Sequence, residues 1–345
     1  MSYEDITVVV QGPVQALAER AQDDGITSRC LDSVRQYLPG ARLILSTWPD
    51  QNLDGLDYDE LIICEDPGRN IVGYTRGGEP RYENTNRQVV TTVEGLRKVT
   101  TKYAVKLRAD NYLTGNNFVE LQKHWQARGE QFKLLEERVV ISNTFSRRYY
   151  RGLPMSFYIC DFFYFGLTKD LLGIWDIPHI EDIPYREDQK GCEQHPGSPW
   201  PILDVDQQLA KRFLLENYGV DIGVEHKHDL RFNARRNSDI IFANNFVVVT
   251  PEQINLALPN KFVTNRQAKK STQITYLQHA EWERLYRKYC DRNYKPETGF
   301  TEILDTWAWR LVFVPLKFLG NVYGLTRGWW RFNKAMKKNR QNQSA

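Results

Sequence analysis

The sequence predicts an α/β fold built on a Rossmann-type, mostly parallel sheet flanked by helices. Three observations carry this expectation. The first 110 residues alternate short apolar runs with segments of helical spacing. The runs are apolar at successive positions instead of at every second residue, broken only by single residues such as Thr7 and Lys106, as in strands buried on both faces. They also end in polar residues, as strands do when a ligand crevice lies beyond their carboxyl ends.

Taken in order, Ile6–Val10 is a β-branched run and reads as the first strand. Thr27–Leu38 has helical spacing behind a Thr/Ser start, with Pro39-Gly40 as its stop. Leu43–Ser46 and Leu61–Cys64 are short and apolar, Asn86–Val99 reads as a helix, and Tyr103–Leu107 as another buried strand. In the second half, Arg138–Ser142 and Tyr158–Gly166 look like strands. Pro178–Pro201 is rich in proline and charge and too long for a passive connection, so it reads as an active-site or acceptor loop. Leu203–Tyr218 has helix character, Ile240–Val249 reads as a strand and Ala280–Tyr289 as a helix, with no internal repeat.

Composition narrows the function classes. With 345 residues, 41% hydrophobic and 12% aromatic, the chain can fill a sizeable core. Cys30, Cys64, Cys160, Cys192 and Cys290 are scattered, with neither CxxC nor zinc-site spacing, and read as reduced core thiols. The opening MSYEDITVVV has acidic residues where a signal peptide needs positive ones, so the expected location is the cytoplasm. The net charge of +3 is segregated: residues 306–345 hold eight Lys/Arg and no Asp/Glu, leaving 38 basic against 43 acidic residues before them. That distribution argues against a nucleic-acid-binding body.

The strand ends are the candidate site. The first ends in Gln11-Gly12-Pro13, the third in Glu65-Asp66-Pro67-Gly68, and the Tyr103 strand in Arg108-Ala109-Asp110-Asn111. A parallel sheet would gather all three at one rim. Neither GxGxxG after the first strand nor GxxxxGK[ST] anywhere is present, so dinucleotide and P-loop folds find no support.

VVVQGPV (Val8–Val14), TSRCLDSVRQYLPGARLILSTW (Thr27–Trp48), GLDYDELIICEDPG (Gly55–Gly68), NTNRQVVTTVEGL (Asn84–Leu96), KLRAD (Lys106–Asp110) and DFFYFGLTKDLL (Asp161–Leu172) follow one another along the chain. In order and spacing they resemble the WavE-type lipopolysaccharide-synthesis glycosyltransferases, over roughly residues 5 to 260. The resemblance implies a GT-A-like enzyme that moves a sugar from a nucleotide-sugar donor to a lipopolysaccharide core, O-antigen or capsule glycan. The catalytic domain is expected over residues 1–300, with a donor-binding half at 1–113 and an acceptor-side half at 114–300. Residues 301–345 then form an amphipathic, basic extension.

General GT-A logic assigns roles within that frame. The common Asp-x-Asp motif has Arg108 in its first place, so Asp110 is the expected ligand of Mn²⁺ or Mg²⁺, while Arg108 could bind phosphate through its planar fork. His226 and His228, alternating in VEHKHD, could complete a metal site, though a solvated pair is the simpler reading. Gln11, Gly12, Pro13, Asp66, Asn86, Arg87 and Asn111 are further donor-binding candidates; Asp66 in Asp-Pro-Gly equally suits a turn, and Asn86, Arg87 and Gln88 equally suit a helix start. An inverting transferase needs a general base, for which Asp206 is the first choice, with Asp204 and Asp161 behind it. For Asp204 and Asp206 the plain alternative is N-capping, and a retaining enzyme would need no such base.

In the C-terminal segment Arg310, Lys317, Asn321 and Arg327 interrupt the apolar residues too often for a membrane span, but they suit an amphipathic segment on an anionic membrane surface. Pro315 and Gly320 are expected to kink or break it. A sugar nucleotidyltransferase or phosphotransferase, and a catalytically silent membrane-associated scaffold of polysaccharide assembly, are the alternative functions.

Overall fold

The computed structural model describes residues 2–15, 22–187, 203–263 and 269–343. β1 (Ile6–Gln11) is buried at all six positions, as its unbroken apolar run requires of a central strand. It leads through α1 (Ile26–Tyr37) to β2 (Arg42–Thr47) and β3 (Glu60–Ile63). A hairpin of β4 (Asn70–Tyr74) and β5 (Pro80–Glu83) precedes α2 (Thr85–Leu96) and β6 (Tyr103–Arg108). The short β7 (Tyr112–Leu113) and α3 (Phe118–His124) lead to β8 (Val139–Ser142), then to the two-residue strands β9 (Tyr149–Tyr150) and β10 (Leu153–Pro154). β11 (Phe163–Leu167), α4 (Thr168–Trp175), α5 (Val205–Tyr218), α6 (Ala234–Asn245) and β12 (Phe246–Val249) complete the main layer. β13 (Leu256–Ala257), α7 (Asn260–Val263), α8 (Lys270–Gln273), α9 (His279–Tyr289) and the long α10 (Phe300–Gln343) follow.

Seven strands form one sheet in the order β3-β2-β1-β6-β11-β8-β12, flanked by helices in a GT-A-like arrangement. Numbered along the chain, these seven run 3-2-1-4-6-5-7. Every pairing is parallel except those of β11, which runs antiparallel to both β6 and β8. After β3 the chain returns to place β6 on the other side of β1, and Gln11 lies directly across from Arg108 at this switch in strand order. Crevices for ligands form at such points. The two halves expected from sequence share this sheet, since β6 pairs with β11.

α2 approaches β1 and β2 closely because Gly95 has no side chain. A Cβ there would lie 2.3 Å from Val9 Cγ1 and 3.2 Å from Ser46 Cβ. Gly12, at the turn leaving β1, has φ 110°, a conformation that favours glycine.

Three expectations about elements are corrected. The run 240–249 is not one strand: its first part belongs to α6, and only 246–249 is β12. An apolar run buried all round cannot be told from a helix by periodicity. The end of α6 is set by side chains, with Asn245 donating to Ile241 O at 3.0 Å and accepting from Leu134 and Leu135 N at 2.9 and 3.1 Å. Second, strand pairing around 158–166 begins only at Phe163, because Phe157 takes φ 55° and the chain bends through Asp161. Third, of the kink or break expected at Pro315 and Gly320, the break does not occur: α10 runs 44 residues with Pro315 inside it. Pro315 and Leu311, whose carbonyl loses its helical donor to proline, both lie on the exposed side.

Cys30, Cys64 and Cys160 are buried free thiols, Cys290 is a half-buried one, and Cys192 lies outside the described residues. So does most of the expected acceptor loop, from residue 188 on. Its described start is pinned to the hairpin and to α2. Asn70 Nδ2 and Asn86 Nδ2 both donate to Ile180 O, at 2.8 and 3.0 Å, and Ile183 N donates to Ile71 O at 2.8 Å.

Candidate active site

The reversed direction of β11 builds the site. Because β11 is antiparallel, its amino end meets the carboxyl end of β6, with Phe163 paired to Leu107. Asp161, two residues before β11, therefore arrives beside Arg108. The guanidinium holds both acids. Its Nε and Nη2 donate to the two oxygens of Asp110 at 3.0 Å each, and Nη1 lies 3.6 Å from Asp161 Oδ2. The Phe162 ring lies against its carbon, 4.6 Å away at the centroid. These charges hold the Arg108 pKa above its ordinary value in spite of burial. Gln88, in the first turns of α2, donates to Asp161 Oδ2 at 2.7 Å and so joins the same cluster.

Asp206, in the first turn of α5, lies close enough to Asp161 of this cluster to feel its charge. It is 7% exposed, and its Oδ1 is buried without a hydrogen-bond partner among the described residues. Burial raises its pKa well above the carboxylate range; the nearby charges of Asp161 and Asp204 push it further, against the Tyr158 hydroxyl and Arg147. Asp204 caps α5 through a reciprocal capping box with Gln207. Its Oδ2 also accepts from the Tyr158 hydroxyl at 3.1 Å and pairs with Lys227 Nζ at 2.9 Å. The three carboxylates proposed as bases from sequence are thus neighbours, and the N-capping alternative holds for Asp204.

Sequence reasoning missed four members of this neighbourhood. Glu83, at the end of β5, is pushed up to about 7 by burial and then by the charge of Asp204, and its Oε2 is buried without a partner among the described residues. Lys227, the residue between the two histidines, is the one that reaches the acids. Arg147 stacks over Tyr158, 5.6 Å from the ring centroid, and feels both Asp204 and Asp206. Lys106 is wholly buried inside β6, donates to Asp161 O and lies 4.5 Å from the Trp175 ring; burial brings it down to about 7. A lysine within an apolar strand was a visible signal, whereas Glu83 depends on a hairpin that no periodicity announced.

The other predicted donor residues serve the scaffold of the rim. Gln11 is buried, and its Oε1 accepts from Thr91 Oγ1 at 2.7 Å. Gly12 and Pro13 are buried beside it, with Gly12 N donating to Ser46 O at 3.1 Å. Asn111 is buried too, its N–H donating to Arg108 O at 3.0 Å. Asp66 makes the expected turn, accepting from Gly68 N at 2.9 Å, and binds Arg87 through Nε at 2.8 Å and Nη2 at 2.6 Å. Arg87 therefore pulls the Asp66 pKa down. Asn86 spends its amide on the backbone of Ile180, with Oδ1 accepting from Ile180 N at 2.8 Å.

Among the described residues no group of three or more His, Cys, Asp or Glu is arranged to hold a metal ion, so Asp110, His226 and His228 do not form one. Residues 226–228 bend and turn, so their side chains do not alternate as on a strand. His228 stacks on Tyr150 and its Nδ1 lies 3.1 Å from Pro154 O; burial lowers it to about 4. Asp110 is 1% exposed and accepts from Arg108 at both oxygens, so a cation could reach it only after this pair opens.

The family model for WavE lipopolysaccharide synthesis matches residues 6–312. The chain belongs to the WavE lipopolysaccharide synthesis family. The match spans the whole main sheet and ends inside α10, so every carboxylate of the cluster lies within the WavE-family region. No curated protein matches the chain.

Proposed function

We propose that this WavE-family protein is a glycosyltransferase that moves a sugar from a nucleotide-sugar donor to a glycan acceptor in lipopolysaccharide assembly. The observation that carries the reading is the buried, unpartnered Asp206 Oδ1 beside Asp161, the acid that Arg108 holds at the strand-order switch of a GT-A-like sheet. Family membership supports the biological role.

Asp206 acts as general base. The acceptor hydroxyl attacks the anomeric carbon, the bond from that carbon to the nucleoside diphosphate breaks, and the hydroxyl proton passes to the Asp206 carboxylate. A carboxyl raised by burial is a better proton acceptor than one in water, once it is ionised. Its unpartnered Oδ1 supplies a lone pair for that proton. This is inverting chemistry. The leaving diphosphate carries its charge to Arg108, whose planar fork matches phosphate oxygens once donor binding has drawn it away from Asp110.

Thermal unfolding with a panel of nucleoside diphosphates and sugar nucleotides, each with and without Mn²⁺, tests donor class. A selective rise in Tm with one sugar nucleotide supports the reading, by mass action of a ligand on the native state. Equal, negligible shifts across the panel would refute it.

A further inference from the structure

The long helix α10 is held to the body along one side. Ile303 and Thr306 are buried there. Arg310 donates to Ile274 O and Tyr276 O at 2.7 Å each and pairs with Glu281, and Lys317 donates to Ser271 O. At Gly152 the helix comes so close that an added Cβ would lie 2.3 Å from Phe318 N. These anchors decide which side faces out. Leu304, Trp307, Leu311, Val312, Leu316 and Leu319 make an exposed apolar band that covers roughly half of the helix circumference, with Leu311 75% exposed.

At the edge of this band lies a cavity of about 340 Å³. Trp307, Arg310 and Leu311 of α10 line it together with Arg148, Arg235 and the Glu281 carboxylate of the body. Arg235 and Arg310 each stand 5.4 Å from the Tyr149 ring centroid. Two carboxylates answer the three cations: Asp239 pairs with Arg148 and Glu281 with Arg310. Arg235 Nη1 instead donates to the carbonyls of Arg148 and Met155. Burial and then the charge of Arg148 bring Arg235 down to about 10, so the two cations crowd one another and an entering anion would relieve both.

We propose that this cavity receives the phosphate headgroup of a membrane lipid, with α10 lying on the bilayer surface and its exposed band among the acyl chains. Charge complementarity names the occupant. From residue 306 to 345 the chain carries eight Lys/Arg and no Asp/Glu, a composition that anionic headgroups attract. The guanidinium groups match phosphate oxygens, and the apolar wall contributed by Trp307 and Leu311 continues into the exposed band, so one molecule with a phosphate and an acyl chain contacts both. No helix among the described residues is long and apolar enough to cross a membrane, so the contact is made from the surface. This inference needs neither donor nor turnover, and it stands or falls apart from sugar transfer.

Flotation of the full chain with phosphatidylcholine vesicles, with and without phosphatidylglycerol, tests it. The protein should float with the anionic vesicles and not with the neutral ones. Leu311→Glu, a change at an exposed position, should abolish flotation, and Arg235→Gln should weaken it about fivefold, the share of one headgroup-proximal charge. Octyl phosphate should compete where inorganic phosphate at the same concentration does not. Equal flotation with both vesicle types, competition by inorganic phosphate as strong as by octyl phosphate, or undiminished flotation of Leu311→Glu would each overturn the proposal. Should Arg235→Gln fail to fold by circular dichroism, the octyl phosphate and Leu311→Glu arms decide. A dimer that Leu311→Glu dissociates without loss of vesicle binding would assign the band to self-association instead.

Discussion

Arg108 donates to both oxygens of Asp110, from Nε and Nη2 at 3.0 Å each, across a turn of the chain only two residues long. The pair is nearly closed to water, with the side chains 17% and 1% exposed. A carboxylate so placed depends on its partner. Arg108→Ala would take from the buried Asp110 the cation that holds both its oxygens, and should cost about 3–5 kcal/mol of stability in denaturant unfolding. Arg108→Lys keeps the charge but loses the fork, and should fall between the two. A stable Arg108→Ala variant would mean that water or another cation satisfies Asp110.

Asp206 titrates in the sense opposite to a salt-bridged acid. Its folded pKa is raised, so the fold favours the protonated form, and the stability this contributes at low pH is lost as pH rises above the ordinary aspartate value. Asp206→Asn should therefore be more stable than wild type at neutral pH and should lose that advantage in acid. Catalysis runs the other way, because a base must be ionised: wild-type turnover should climb with pH through the raised pKa, and Asp206→Asn should suppress it while sparing donor binding. An unchanged turnover in Asp206→Asn would remove this residue from the chemistry.

Glu83 gives a pH window. Its pKa rises from 4.5 to about 7, so native stability is full below 4.5 and is lost as pH increases through about 7. Glu83→Gln removes the titrating group. By linkage it should gain up to about 3 kcal/mol over wild type at pH 8, with no gain at pH 4. A difference between the two proteins that does not vary with pH would show that Glu83 is hydrated in the folded state.

Gly95 tests the packing of α2 on the sheet. A methyl group there would meet Val9 Cγ1 at 2.3 Å, so either β1 or α2 must move. Gly95→Ala should destabilise by about 1–3 kcal/mol in spite of alanine's better helix propensity. Because α2 also carries Gln88 to Asp161, the same variant should weaken donor binding. A neutral or stabilised Gly95→Ala would show that the helix can slide on the sheet.

Much of the sheet was legible in the sequence because its strands are buried on both faces and so appear as unbroken apolar runs. The rim residues Gln11 and Arg108 were legible for the same reason, since each ends such a run. What stayed hidden depends on tertiary direction. Nothing in YICDFFYFG says that β11 runs antiparallel, yet that reversal alone brings Asp161 to Arg108. Lys227 and His228 show a related limit: spacing in VEHKHD cannot say which side chains face the acids, and the lysine does. Asn70 and Asn86 bind the same distant carbonyl, that of Ile180, a contact no local pattern encodes.

The most direct test of the central claim is the release of nucleoside diphosphate from a panel of sugar nucleotides by the wild-type protein and by Asp206→Asn, both confirmed as folded. Release from at least one donor by wild type, stimulated by a lipopolysaccharide acceptor and lost in Asp206→Asn, is the predicted result. Release of pyrophosphate in its place, or equal release by both proteins, would contradict sugar transfer at this site.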